Sequence, residues 1–152
     1  MKFVLFVLPI ILLICTVYGS NEPFIIPPFL LGAPESVMRE MQELLQEYAD
    51  KPDYQMERAV EEWVKAKGGM IKVKYDQFKA NMQQLHNKAT LLRKTMAQNL
   101  SKEAKKADME LINIGRNKSL SAQQKKKKFE AYLMNLSQAV RNELQTVFYA
   151  KF

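Results

Sequence analysis

The sequence predicts an all-α fold, a compact bundle of about five helices around one long central helix. Three observations carry this. Beyond residue 34, apolar residues recur at helical spacing almost without interruption, and strand-type alternation is scarce. Only five glycines occur in 152 residues, and 26% charged against 47% hydrophobic residues suits a folded chain better than a disordered one. Ile71, Phe78, Leu85 and Leu92 fall seven apart with Tyr75, Met82, Ala89 and Met96 between them, which is a heptad seam.

Residues 1 to 19 read as a secretory signal peptide. Lys2 supplies the positive start, and "FVLFVLPIILLIC" is an apolar run too short for a comfortable membrane span. Val17 and Gly19 suit the −3 and −1 positions, which places cleavage after Gly19 and the protein outside the cell. Pro9 and the lack of stop-transfer charges after Tyr18 argue against an uncleaved anchor. Cys15, the one cysteine, leaves with the leader, so the mature chain has no thiol nucleophile and no thiolate metal ligand. The formal charge of +7 becomes +6 on losing Lys2. Such a basic chain suits an anionic surface. Nucleic acid is not expected for a secreted protein whose basic run lacks interleaved aromatics.

Residues 20 to 33 are expected to form an extended arm, and 34 to 150 a single helical domain. In "PPFLLGAPESV", at 27 to 37, Phe29, Leu30 and Leu31 are too apolar to leave in water, and Pro34 suits the first turn of a helix. The arm should lay Phe29 and Leu30 against the bundle. Val37, Met38, Met41, Leu44, Leu45 and Tyr48 then form one stripe of a first helix ending near Asp50, with Pro52 as a stop. A second helix should run from about Tyr54 to Lys67, capped by Asp53 and closed by Gly68-Gly69. The third, from near Met70 to Gln98, would be about 40 Å long at 1.5 Å per residue. Its seam should pack inside the bundle against neighbouring stripes, leaving the protein a monomer. Ser101 caps a fourth helix, 101 to 114, stopped by Gly115, and Ser121 with Gln124 forms a capping box. From there Phe129, Tyr132, Leu133, Leu136, Val140, Leu144, Val147 and Phe148 keep helical spacing in one last helix.

The succession "PPFLLGAP", a helix closed by "GG", "YDQF", "LSKEAKKAD" and "SLSAQQKKKKFEAYLMNLSQAVRNEL" resembles the nematode SXP/RAL family of secreted antigens. The resemblance spans about Pro27 to Leu144. It implies a small secreted all-helical domain without known enzymatic activity, in a family that includes a domain described as cation-binding.

Chemistry is sparse in the residues themselves. The single histidine, His86, lies off the centre of the seam with no carboxylate one helical turn away, which fits a solvated side chain rather than a general base. No enzymatic activity is therefore expected. No calcium-binding EF-hand loop pattern occurs. Asp53, Glu57 and Glu61, four apart on the second helix, are the best oxygen ligands for Mg2+ or Ca2+ with water completing the shell. The competing reading is a solvated face, and Glu61 has Lys65 as an i+4 partner. Eight of nine methionines survive cleavage, and thioethers repack around irregular guests, although their helical spacing is explained by core filling. Lys125, Lys126, Lys127 and Lys128 open the last helix, where the dipole disfavours positive charge, and offer a patch for an anionic glycan or membrane surface. Three N-x-[ST] sequons occur. Asn117 lies in the predicted loop, Asn99 at a helix junction and Asn135 inside the predicted last helix. The expectation is a secreted, non-enzymatic protein that binds a host or other extracellular partner, with weak Mg2+ or Ca2+ binding as an accessory property. The alternative is an extracellular carrier of lipid or another small apolar ligand.

Overall fold

The computed structural model describes residues 15 to 17 and 24 to 148. The expected cleavage point after Gly19 lies outside the described residues. Two short strands, β1 (Cys15–Val17) and β2 (Phe24–Ile26), pair antiparallel with Cys15 opposite Ile26. A 3-10 turn over Pro28–Leu30 follows, so the described part of the arm, from residue 24 on, is an extended strand that leads into a turn. Six α-helices follow among the described residues: α1 (Glu35–Glu47), α2 (Asp53–Lys67), α3 (Gly69–Ala97), α4 (Lys102–Arg116), α5 (Ala122–Met134) and α6 (Gln138–Phe148).

The fold is all-α in its body, as expected, with its core in two clusters. One gathers Ile26, Phe29, Leu30, Met41, Val60 and Val64 from the arm, α1 and α2, with Ile71, Tyr75 and Phe78 of α3 against them. The other gathers Leu100, Ala104, Ala107, Leu111, Phe129, Val140, Leu144 and Val147, with Met96 and Ala97 from the far end of α3. Phe29 and Leu30 are buried, so the arm packs. Leu31 is exposed, contrary to expectation, because the 3-10 turn points Phe29 and Leu30 inward and leaves the next residue outside.

The long helix therefore spans two clusters instead of lying inside one. Its seam is covered at each end, while Leu85 and Leu92 between them are exposed, as is Leu91 at 68%. The two clusters draw on α3 through Ile71, Tyr75 and Phe78 at one end and Met96 and Ala97 at the other, and the heptad continues between them. Arg93 fastens the C-terminal half of α3 to α4 through an ion pair with buried Asp108.

Local signals explain most boundaries. Gly68 closes α2 at φ +62°, where an L side chain would be strained. Ser101 Oγ accepts from Ala104 N at 3.1 Å and starts α4. Ser121 and Gln124 make both bonds of the capping box, at 3.3 and 3.0 Å. Gly115 does not stop α4, which runs one residue further because a single glycine costs a helix only about 1 kcal/mol.

The expected last helix is two. Asn135 ends α5 and Ser137 Oγ accepts from Val140 N at 3.3 Å to start α6. Arg141 secures the junction by donating to the carbonyls of Leu133 and Met134, each at 3.3 Å. The same tripeptide, Asn-Leu-Ser, makes the turn from α3 to α4, where Leu100 enters the core and Ser101 caps.

Candidate functional site

The elements that carry the two clusters are tied together where α2 begins. Asp53 N donates to Leu120 O at 3.1 Å and Tyr54 N to Lys118 O at 3.2 Å, tying α2 to the α4–α5 loop. Beside these bonds the Asp53 carboxylate pairs with the Lys125 ammonium, with side-chain exposures of 7% and 8%. Asp53 is thus not the side-chain cap of α2: Pro52 holds that position and Asp53 is the first helical residue. Lys125 is likewise not part of an exposed patch. Phe129 one turn on is buried in the core, and Lys125, on the same face of α5, is carried inward with it, leaving Lys126, Lys127 and Lys128 exposed.

Next to this junction lies a pocket of about 260 Å³. The arm supplies Pro27 and Phe29, α1 Met41 and Leu45, α2 Val60, and α3 Tyr75 and Phe78. Phe29 meets Tyr75 edge-on, with ring centroids 5.1 Å apart, and Phe78 at 5.7 Å, so one arm residue aligns both aromatics of α3. The polar lining comes from Glu57 and Glu61 of α2, Lys79 and Gln83 of α3, and Lys118 of the α4–α5 loop. Lys118 pairs with Glu57 at 2.6 Å and Lys79 with Glu61 at 2.5 Å.

The electrostatics follow from these contacts. Its hydrogen bond to Glu61 raises the pKa of Lys79 above the ordinary lysine value. Burial raises that of the Tyr75 phenol. Both groups keep their protons at neutral pH, Lys79 charged and Tyr75 neutral. His86 is exposed on α3 and does not line the pocket.

The structure separates the three carboxylates that sequence spacing placed in one row. Asp53 is sealed against Lys125, whereas Glu57 and Glu61 share the pocket lining. Among the described residues, no group of three His, Cys, Asp or Glu side chains is arranged to hold a metal ion. Two carboxylates with several waters suffice chemically for Mg2+, and Glu57 and Glu61 are the pair that fits this donor set. Sequence reasoning missed the rest of the site. Tyr75 and Phe78 read as seam residues and Lys118 as a loop residue, and no local pattern joins them to Phe29.

All three sequon asparagines are exposed, Asn99, Asn117 and Asn135 each lying between helices. Asn135 is not inside a helix, because α5 ends before it. Among the described residues no helix is long and apolar enough to cross a membrane.

The architecture defines a class: a small helical domain with an aromatic-walled pocket under two carboxylate–lysine pairs. The family follows from comparison with known proteins. The model of the SXP/RAL-2 family protein Ani s 5-like, metal-binding domain matches residues 1–152. The SXP/RAL-2 family protein Ani s 5 of Anisakis simplex is 36% identical over 119 residues, 78% of each chain. The OV-17 antigen of Onchocerca volvulus is 34% identical over 119 residues, 78% of this chain and 73% of its own. The chain belongs to the SXP/RAL-2 family. No solved structure matches it significantly.

Proposed function

We propose that this family member is a secreted, non-enzymatic binding protein whose pocket between the arm, α1, α2 and α3 carries a small apolar ligand. The carrying observation is the cavity of about 260 Å³ walled by Phe29, Met41, Leu45, Val60, Tyr75 and Phe78. Concave, mostly apolar sites with a few polar groups at the edge are the usual form of small-ligand sites. The volume is roughly 1.7 times that of an engineered ~150 Å³ cavity that takes up benzene, which points to a ring with a short chain rather than a whole phospholipid.

The experiment is native mass spectrometry of the protein purified from a eukaryotic secretion host, followed by an NMR titration with phenylpropanol. A co-purifying small molecule, or shifts confined to pocket residues, is the expected result. A ligand-free protein with no pocket shifts at millimolar phenylpropanol would overturn the reading. The same preparation tests export, since N-terminal sequencing should begin at Ser20.

A second reading is supported by the metal-binding description of the family model and by the two pocket carboxylates. Glu57 and Glu61, one helical turn apart, would hold Mg2+ or Ca2+ weakly, with water as the remaining ligands. Calorimetric titration with either ion should give a response that Glu57→Gln abolishes. An unaltered response in that variant would remove this pair from consideration.

A further inference from the structure

We infer that the pocket selects a small amphiphile with an ammonium head, seated with its apolar body against Phe29 and Phe78 and its cation at Glu61 and Glu57. This rests on the pocket reading above and adds the chemistry of the head group.

The charges at the pocket are equal in number but unequal in mobility. Glu57 and Glu61 have short stems, lie one turn apart on one face of α2, and are fixed by that helix. Their partners come from two different elements on four-carbon stems, Lys79 from α3 and Lys118 from the α4–α5 loop. A lysine ammonium is flexible and strongly hydrated, so once displaced it returns to water at little cost. Exposed pairs of this kind are weak and open readily. The fixed charge of the pocket is therefore negative and the positive charge is exchangeable.

Lys79 shows what an exchanged cation would find. Its ammonium lies 2.5 Å from Glu61 Oε1 and 5.5 Å from the centroid of the Tyr75 ring. A carboxylate on one side and an aromatic face on the other is the arrangement that recognises an ammonium ligand. The chain's own cation occupies that place from the rim, and a ligand entering the cavity brings its own. An anionic head would have to lie beside two carboxylates whose lysines it had taken, a like-charge arrangement. A hydroxyl head can hydrogen-bond a carboxylate but brings no charge to replace the displaced lysine.

The test uses the full mature chain and three probes of one shape, phenylpropylammonium, phenylpropanol and phenylpropanoate, titrated by calorimetry at neutral pH. The ammonium should bind about tenfold tighter than the alcohol, as expected for one charge-assisted hydrogen bond with an aromatic contact, and the carboxylate weakest. Lys79→Met should raise the ammonium-to-alcohol ratio by about threefold, because the internal competitor is gone. Glu57→Gln with Glu61→Gln should bring the ratio close to one. Alcohol binding equal to ammonium binding, or the carboxylate binding tightest, would overturn the head-group inference while leaving the pocket in place. Failure of all three probes to bind would overturn the pocket reading itself. The comparison on the unaltered chain decides the matter even where a variant does not fold.

Discussion

Replacing Lys125 by methionine removes an ammonium while keeping most of the side-chain volume, and isolates the value of the buried pair that joins the two core clusters. The partner left behind, Asp53, is 7% exposed. Breaking a buried ion pair by deleting one member costs about 3–5 kcal/mol, most of it for the stranded charge. Asp53 opens α2, and the positive end of a helix returns about 0.3–1 kcal/mol to a carboxylate there. The net expectation for Lys125→Met is therefore a loss near 3 kcal/mol, or roughly 10 °C in Tm for a domain of this size. Urea unfolding followed by circular dichroism at pH 7 measures it. The control is Lys126→Met, one residue along the same lysine run but exposed, which should stay within about 0.5 kcal/mol. A cycle completed with Asp53→Asn should return a coupling of about 1–3 kcal/mol. Equal stability of the Lys125 and Lys126 variants would refute the buried pair and with it the account of how the clusters are joined.

Two further outcomes follow from the same structure. Leu30→Ala should cost about 2–5 kcal/mol in urea unfolding, because Leu30 is fully buried in the arm's cluster, and a loss below 1 kcal/mol would show that the arm does not pack. Glu40 accepts from Lys67 at 2.5 Å and from Trp63 Nε1 at 3.3 Å, and the lysine contact chiefly lowers its pKa. A folded value below the unfolded one means that its stabilising effect is present above the ordinary glutamate value of about 4.3 and is lost as pH falls through the folded value. In Lys67→Met the Glu40 midpoint, followed by side-chain NMR, should move up, and an unchanged midpoint would assign the shift to another cause.

How far the sequence could be read is clearest at its two Asn-Leu-Ser junctions. At 99 to 101 the apolar rhythm of α3 stops, so the turn was visible. At 135 to 137 it does not stop. Leu136 falls three residues after Leu133 and four before Val140, so two separate helices count as one in phase. The heptad seam of α3 misled in the opposite sense. Its spacing correctly gave a long helix, but periodicity says which residues share a face and not how much of that face a neighbour covers. The pocket was not legible because its walls come from the arm, three helices and a loop. Phe29 and Lys118 lie 89 positions apart in the chain, and no local rule brings them together.

The acidic row of α2 joins what was legible to what was not. Sequence spacing gave three equivalent carboxylates, and the structure provides each with a lysine from a different element: Lys125 of α5, Lys118 of the loop and Lys79 of α3. Burial then divides the row. Carboxylate exposure rises from 7% at Asp53 to 34% at Glu57 and 53% at Glu61, so the cost of losing the lysine falls in that order. Asp53 cannot exchange its partner without unfolding the join between the clusters, and so it holds the fold. Glu57 and Glu61 can exchange theirs in water, beside the cavity. This is why a lysine run with no obvious purpose begins at residue 125: its first member is buried, where it neutralises the one carboxylate of this row that is buried too.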